Sequence, residues 1–157
     1  MEKEKNNGLI VKSNYLIEAP CKLTLTEQKI VYLVLSMIDR DDDDFKEYTF
    51  KVADFMEKLE LKGQSAYSQL KAATKLLRSR YFTVRYKDNN GDNHELITGW
   101  INDADYNEDS GTITFSLSKK LKPFLLQLKE YFTVLELDNL MQMKSIYSTK
   151  IYELLKQ

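Results

Sequence analysis

Residues 53–79, ADFMEKLELKGQSAYSQLKAATKLLRS, and residues 81–101, YFTVRYKDNNGDNHELITGWI, decide the fold. In the first stretch Phe55, Met56 and Leu59 share a helical face, Lys62-Gly63-Gln64 interrupts it, and Leu70, Ala73, Thr74 and Leu77 resume core spacing. Gly63 suits the left-handed conformation that ends a helix. The spacing therefore predicts helices over 53–60 and 65–79 across a tight turn, a helix-turn-helix. The second stretch places aromatic and β-branched residues on both sides of Asn89-Asn90-Gly91-Asp92, the composition of a β-hairpin. Tyr81, Phe82, Tyr86 and Trp100 read as its core. Helix, turn, helix and hairpin in that order describe a winged helix, an α+β fold.

Upstream, two helix starts overlap. Thr24 with Glu27 makes a capping box, and Thr26 with the Leu25/Ile30 pair makes a hydrophobic staple, so a helix over about 26–39 is expected. From Ile30 to Ile38 it is apolar on nearly every side, the pattern of a buried helix, and each such side chain contributes roughly 1.5–3 kcal/mol if fully buried. Before it, Met1 to Gly8 read as a solvated lead-in and Leu9 to Val11 as a short extended stretch. After it, the acidic run Asp39 to Asp44, broken only by Arg40, reads as an exposed loop. A short strand follows at Glu47 to Val52. Downstream, a turn through Asn107 to Gly111 leads to a strand at Thr112 to Leu117. Additional helices are expected over Lys119–Lys129, interrupted by Pro123, over Leu137–Met143 and over Ile146–Gln157. There is no internal repeat or low-complexity linker, so residues 1–157 read as one domain.

Chemistry of the enzymatic kind finds little to work with. The chain has one cysteine, Cys21, and one histidine, His94, too few for an internal disulfide or a His/Cys zinc cluster. It has no phosphate-cradling glycine loop and no assembled Ser/His/Asp or Cys/His set. A module without catalytic residues, metal or cofactor is expected. The longest apolar run, Ile30 to Leu35, is too short to span a bilayer, and no secretory address is visible, which makes the cytoplasm the expected compartment.

The informative feature is charge. The formal net charge is -1, yet between Leu61 and Lys87 there are seven basic residues and no Asp or Glu. Lys71, Lys75 and Arg78 recur at helical spacing on the second helix, roughly opposite its apolar face. Lys62, Arg80, Arg85 and Lys87 extend the basic set. Such a helix fits a DNA-facing role, with phosphate contacts that make affinity salt-sensitive. Gln64 and Ser65, with Tyr67 and Gln69, lie toward the N-terminal end of that helix, the end that usually meets base edges.

The two ends of the chain carry a family resemblance. Val11-Lys12-Ser13-Asn14-Tyr15-Leu16-Ile17-Glu18-Ala19, followed by Leu23-Thr24-Leu25-Thr26-Glu27-Gln28-Lys29, resembles the opening signature of the RepB-like initiator replication proteins of iteron-bearing plasmids. Ser145-Ile146-Tyr147-Ser148 and Ile151-Tyr152-Glu153-Leu154-Leu155-Lys156-Gln157 resemble the signature that closes their first domain. Lys150 departs from the arginine more usual there. The resemblance implies two winged-helix domains in tandem, of which this chain is the first and the second is absent. It further implies binding of double-stranded DNA at plasmid origin repeats, a homodimer that represses its own gene, and monomers that open the origin and recruit host replication proteins. Two other classes fit the residues: an unrelated winged-helix transcription repressor, and a protein-interaction module without DNA contact. The apolar content of Ile30–Ile38 and of the segment from Phe124 to Met143 exceeds what one modest core requires, and the strands after Asn93 offer a free edge, both of which favour self-association.

Overall fold

A computed structural model describes residues 8–39 and 41–157. The lead-in over 1–7 and Arg40 of the acidic loop lie outside the described residues. In chain order the elements are β1 (Leu9–Ser13), α1 (Asn14–Glu18), α2 (Leu25–Leu35), β2 (Tyr48–Lys51), α3 (Val52–Lys58), α4 (Ala66–Ser79), β3 (Phe82–Lys87), β4 (Asn93–Thr98), β5 (Ile101–Asn107) and β6 (Thr112–Leu117). A 3-10 turn (Lys119–Leu121), α5 (Lys122–Leu125), β7 (Phe132–Glu136), α6 (Leu137–Gln142) and α7 (Ile146–Lys156) complete the chain.

Of the two possible starts for α2, the fold takes the capping box. Thr24 Oγ1 accepts from the Glu27 amide at 3.2 Å, and Glu27 Oε1 accepts from the Thr24 amide at 3.4 Å. The helix stops at Leu35, short of 39, because the amides of Met37 and Ile38 reach back only three residues and the Ser36 hydroxyl donates to the Leu33 carbonyl. Its side chains from Ile30 to Leu35 are all buried, as their unbroken apolar run requires. Helix α3 also ends early. Its left-handed terminator is Glu60 (φ 59°), with the Leu61 amide closing back on the Met56 carbonyl at 2.9 Å and the Met56 and Leu61 side chains packed against the core. Gly63 does take a positive φ of 84°, but in the turn ahead of α4.

The hairpin about Asn90-Gly91 forms as β3–β4, with Phe82 opposite Thr98 and Lys87 opposite Asn93. It stands as a two-stranded ribbon. The strand that precedes the helix-turn-helix, β2, pairs instead with β6, giving the sheet order β2-β6-β5. The reason lies in the faces presented. β2 brings Tyr48 and Phe50 opposite Phe115 and Ile113, both fully buried, whereas Asn93, His94 and Glu95 of β4 are exposed. The chain after the hairpin turn breaks at Gly99-Trp100, so that β4 and β5 enter different sheets. Helix-turn-helix and the three-stranded sheet together make the winged helix, with β3–β4 as an added ribbon after α4.

Three elements escaped the sequence pattern: α1, β5 and β7. β7 pairs antiparallel with β1, Val11 opposite Val134, and so draws the early segment onto the late one. Lys12 Nζ then meets Glu153 Oε2 at 2.9 Å and Oε1 at 3.3 Å inside the protein, and the Tyr32 hydroxyl donates to the same carboxylate at 3.3 Å. Lys150 Nζ donates to the Ile17 carbonyl at 2.7 Å. The two end motifs are thus one packed unit. The long apolar inventory is largely absorbed as well: α2, Phe124, Leu125, Leu135 and Leu140 are buried. Part of the apolar surface left open lies on α7, where Tyr147, Ile151, Leu154 and Leu155 face outward, and Leu76, Tyr81, Ile97 and Tyr131 are exposed elsewhere.

Candidate nucleic-acid interface

Helix α4 buries Ala66, Leu70, Ala73, Thr74 and Leu77 and turns Ser68, Ala72, Lys75 and Ser79 outward. Its fixed orientation comes from both flanks: the Thr74 hydroxyl lies 3.0 Å from the Tyr106 hydroxyl of β5, and Arg78 Nε donates to the Asn102 carbonyl. The turn ahead of it exposes Lys62, Gln64 and Ser65. Ser65 makes no side-chain cap; its hydroxyl accepts from the Gln69 amide group at 2.8 Å, and the first-turn backbone amides of α4 lack a side-chain partner.

The seven basic residues separate into two groups once the chain is folded. Lys71 is held by Glu108 at 3.5 Å and lies 4.8 Å from the Tyr67 ring centroid and 5.4 Å from that of Tyr106. Hydrogen bonding to Tyr67, with Glu108 beside it, keeps its ammonium above the ordinary lysine range. Arg85 pairs across the ribbon with Glu95 at 3.3 Å. Arg78 is committed to the Asn102 carbonyl. Arg80 is structural, since its Nε and a terminal nitrogen each donate at 3.0 Å to the two oxygens of Glu27, whose side chain is fully buried. Burial works against the Glu27 carboxylate, but hydrogen bonds from Arg80 and Thr24 outweigh it and hold its carboxyl below the usual range. Lys62, Lys75 and Lys87 remain exposed, with no ion pair among the described residues.

One aromatic changes sides. Tyr81, expected in the hairpin core, is 74% exposed, while Phe82 and Trp100 are buried with ring centroids 4.9 Å apart. Tyr81 directly precedes Phe82 on an extended chain, so period two puts it on the opposite face. The signal was in the alternation with Phe82 and Val84. Tyr81 therefore borders the basic helix as an open ring.

The sequence matches the Initiator Replication protein family, WH1, over residues 9–156. The chain belongs to this initiator family. Among solved structures, this WH1 fold is similar to the Pi initiator protein in complex with iteron DNA, at 21% identity and a TM-score of 0.70, covering 99% of this chain and 65% of that one. It is also similar to the WH1 domain of MSBI1.176, a replication protein isolated from a multiple sclerosis patient. There the identity is 20% and the TM-score 0.50, covering 65% of this chain and 79% of the other. The WH1 domain described here thus spans about 65% of the length of the Pi initiator chain. These likenesses establish the winged-helix architecture. No helix among the described residues is long and apolar enough to cross a membrane.

Proposed function

We propose that this chain serves plasmid replication as the first winged-helix domain of an initiator, binding double-stranded DNA at repeated origin sequences without catalysing a reaction. The observation that carries the reading is the outer face of α4 and the turn before it, where Lys62, Gln64, Ser65, Ser68 and Lys75 are exposed on an initiator-family fold. The first-turn amides of Tyr67 and Ser68, which no N-cap side chain takes up, supply further donors for phosphate oxygens, while that of Ala66 is bonded to the Gly63 carbonyl. The Pi initiator, solved on iteron DNA, supports the choice of repeat DNA as ligand. The cytoplasm is the compartment where such DNA is met.

The committed cations and the free ones predict different outcomes. Replacing Lys62 and Lys75 together by alanine is expected to lower affinity for all duplex sequences alike and to flatten the salt dependence by about 0.9 for each lost phosphate contact. Fluorescence anisotropy across a salt series reads this directly. An unchanged slope would assign both lysines to an idle solvated face. The same titration with Lys87→Ala tests whether the β3–β4 ribbon touches DNA.

Self-association is the second part of the proposal. β4 and β5 each have one hydrogen-bonded neighbour, and Ile97 stands exposed on β4. An open strand edge beside an apolar side chain is a template for a second copy, and two-fold closure is the commonest outcome. Sedimentation velocity over a concentration series is expected to show a homodimer that dissociates on dilution, and Ile97→Lys is expected to shift it toward monomer. A strictly monomeric species into the high micromolar range would overturn this part. Recruitment of host replication proteins belongs to the same reading, with the monomer as the recruiting form.

A further inference from the structure

Helix α4 and strand β5 wall a surface groove of about 350 Å³, lined by Lys71, Thr74, Lys75, Arg78, Ala104 and Tyr106. Its three cations recur at helical spacing, so one face of α4 presents them together. Lys75 and Arg78 have no ion pair among the described residues, Arg78 meeting only the neutral Asn102 carbonyl. Lys71 alone of the three is answered by a carboxylate, that of Glu108 at 3.5 Å. Glu108 stands on the turn between β5 and β6 with its side chain 75% exposed. One surface ion pair holds it there, a contact of small worth that another anion can take over.

The sequence mirrors this arrangement. Residues 61–87 carry seven cations and no acid, and residues 88–118 carry seven acids and no Lys or Arg. Folding lays the second stretch against the first, since β5 packs on α4. Period two along β5 turns Ala104 and Tyr106 toward α4 and leaves Asp103 and Asp105 exposed on the other face. Glu108, just past the end of the strand, is the acid that engages an α4 cation among the described residues.

We propose that this groove seats one phosphate of a DNA backbone, and that Glu108 is a built-in competitor for the seat, exchanged at Lys71 for the phosphate when DNA binds. The inference rests on the DNA-binding reading of α4 and adds its regulation. A phosphodiester carries one negative charge and accepting oxygens, as the Glu108 carboxylate does, so the exchange keeps Lys71 paired and brings Lys75 and Arg78 an anion as well. Lys71 is thus committed only in the DNA-free protein. The competitor also sharpens selection. Every anion must displace a carboxylate, and a duplex with further contacts at Lys62, Gln64 and Ser65 offsets that cost where a small anion does not.

Fluorescence anisotropy of the full chain with a labelled duplex of mixed sequence tests the exchange. Glu108→Gln is expected to tighten binding by roughly two- to fivefold, the range that an exposed ion pair supplies. Asp105→Asn removes the same charge from the other face of β5 and is expected to change affinity by less than about twofold, because salt screens a surface charge that faces away from the site. Lys71→Ala is expected to weaken the Glu108→Gln protein more than it weakens the parent, since in the parent it also removes the anchor of the competing carboxylate; a double-mutant cycle reads this coupling. Glu108→Gln binding like the parent, Asp105→Asn matching Glu108→Gln, or additive effects at positions 71 and 108 would each overturn the competitor while leaving DNA binding in place. A parent protein without salt-dependent binding would overturn the DNA reading itself, and the occupant of the groove with it.

Discussion

Replacing Glu153 by alanine is expected to destabilise the domain by about 3–5 kcal/mol, because it strands the Lys12 ammonium in the interior. Their side chains are only 3% and 5% exposed, so water cannot take over the lost partner. Tyr32 suffers too. Burial and the neighbouring Glu153 carboxylate raise its pKa, so its hydroxyl is a neutral donor that would lose its acceptor. Equilibrium urea unfolding measures the loss. The double replacement Lys12→Met with Glu153→Leu is expected to recover most of it, since apolar residues of similar volume often substitute for a buried ion pair at little cost. A Glu153→Ala protein with an unchanged urea midpoint would mean that the two end motifs do not depend on each other. The expected result explains why residues near position 12 and near position 153 belong to one recognisable pattern: they are two halves of a single contact.

Arg80→Ala is expected to act on stability where Lys75→Ala acts on DNA. Its cost falls on Glu27, which stays buried and loses both guanidinium hydrogen bonds; stranding such a carboxylate costs about 1–3 kcal/mol or more. The reverse change, Glu27→Ala, removes the capping-box acceptor but leaves Arg80, whose side chain is 35% exposed, free to turn into water. Arg80→Ala should therefore be the more damaging of the two. The pH dependence has a definite sign. Because the folded state holds the Glu27 carboxyl below its usual value, this contact stabilises the protein above the ordinary carboxylate range, and that stability is lost as pH falls through the folded value. In Arg80→Ala the guanidinium hydrogen bonds that lower it are gone and burial dominates, so the variant gains relative to wild type on acidification. Urea unfolding at a series of pH values is expected to show the gap between them closing below the carboxylate range. A gap that is constant with pH would place the role of Arg80 elsewhere, on the DNA face.

The winged helix itself was legible because it rests on local patterns. The capping box at Thr24, the apolar run of α2 and the face of Leu70, Ala73, Thr74 and Leu77 each act within a few residues, as does the Asn-Gly turn of the added β3–β4 ribbon. β7 was illegible for the opposite reason. Phe132–Glu136 becomes a strand because Leu9–Ser13 is available to pair with it from the far end of the chain, and no window of sequence contains both. The partner of β2 was hidden likewise, since the choice between β4 and β6 turns on which face meets Tyr48 and Phe50 after collapse.

By itself the sequence determined the helix-turn-helix, the hairpin, and a stretch from Leu61 to Lys87 rich in cations and empty of acids. Only the tertiary structure decided which of those cations are free. Glu27, Glu95 and Glu108 come from outside the stretch to engage Arg80, Arg85 and Lys71, leaving Lys62, Lys75 and Lys87 open to solvent and Arg78 exposed, held only by the neutral Asn102 carbonyl. Charge segregated along a chain is not charge segregated in space, because Coulomb attraction acts at a few ångströms between whatever groups packing brings together, without regard to their separation in sequence.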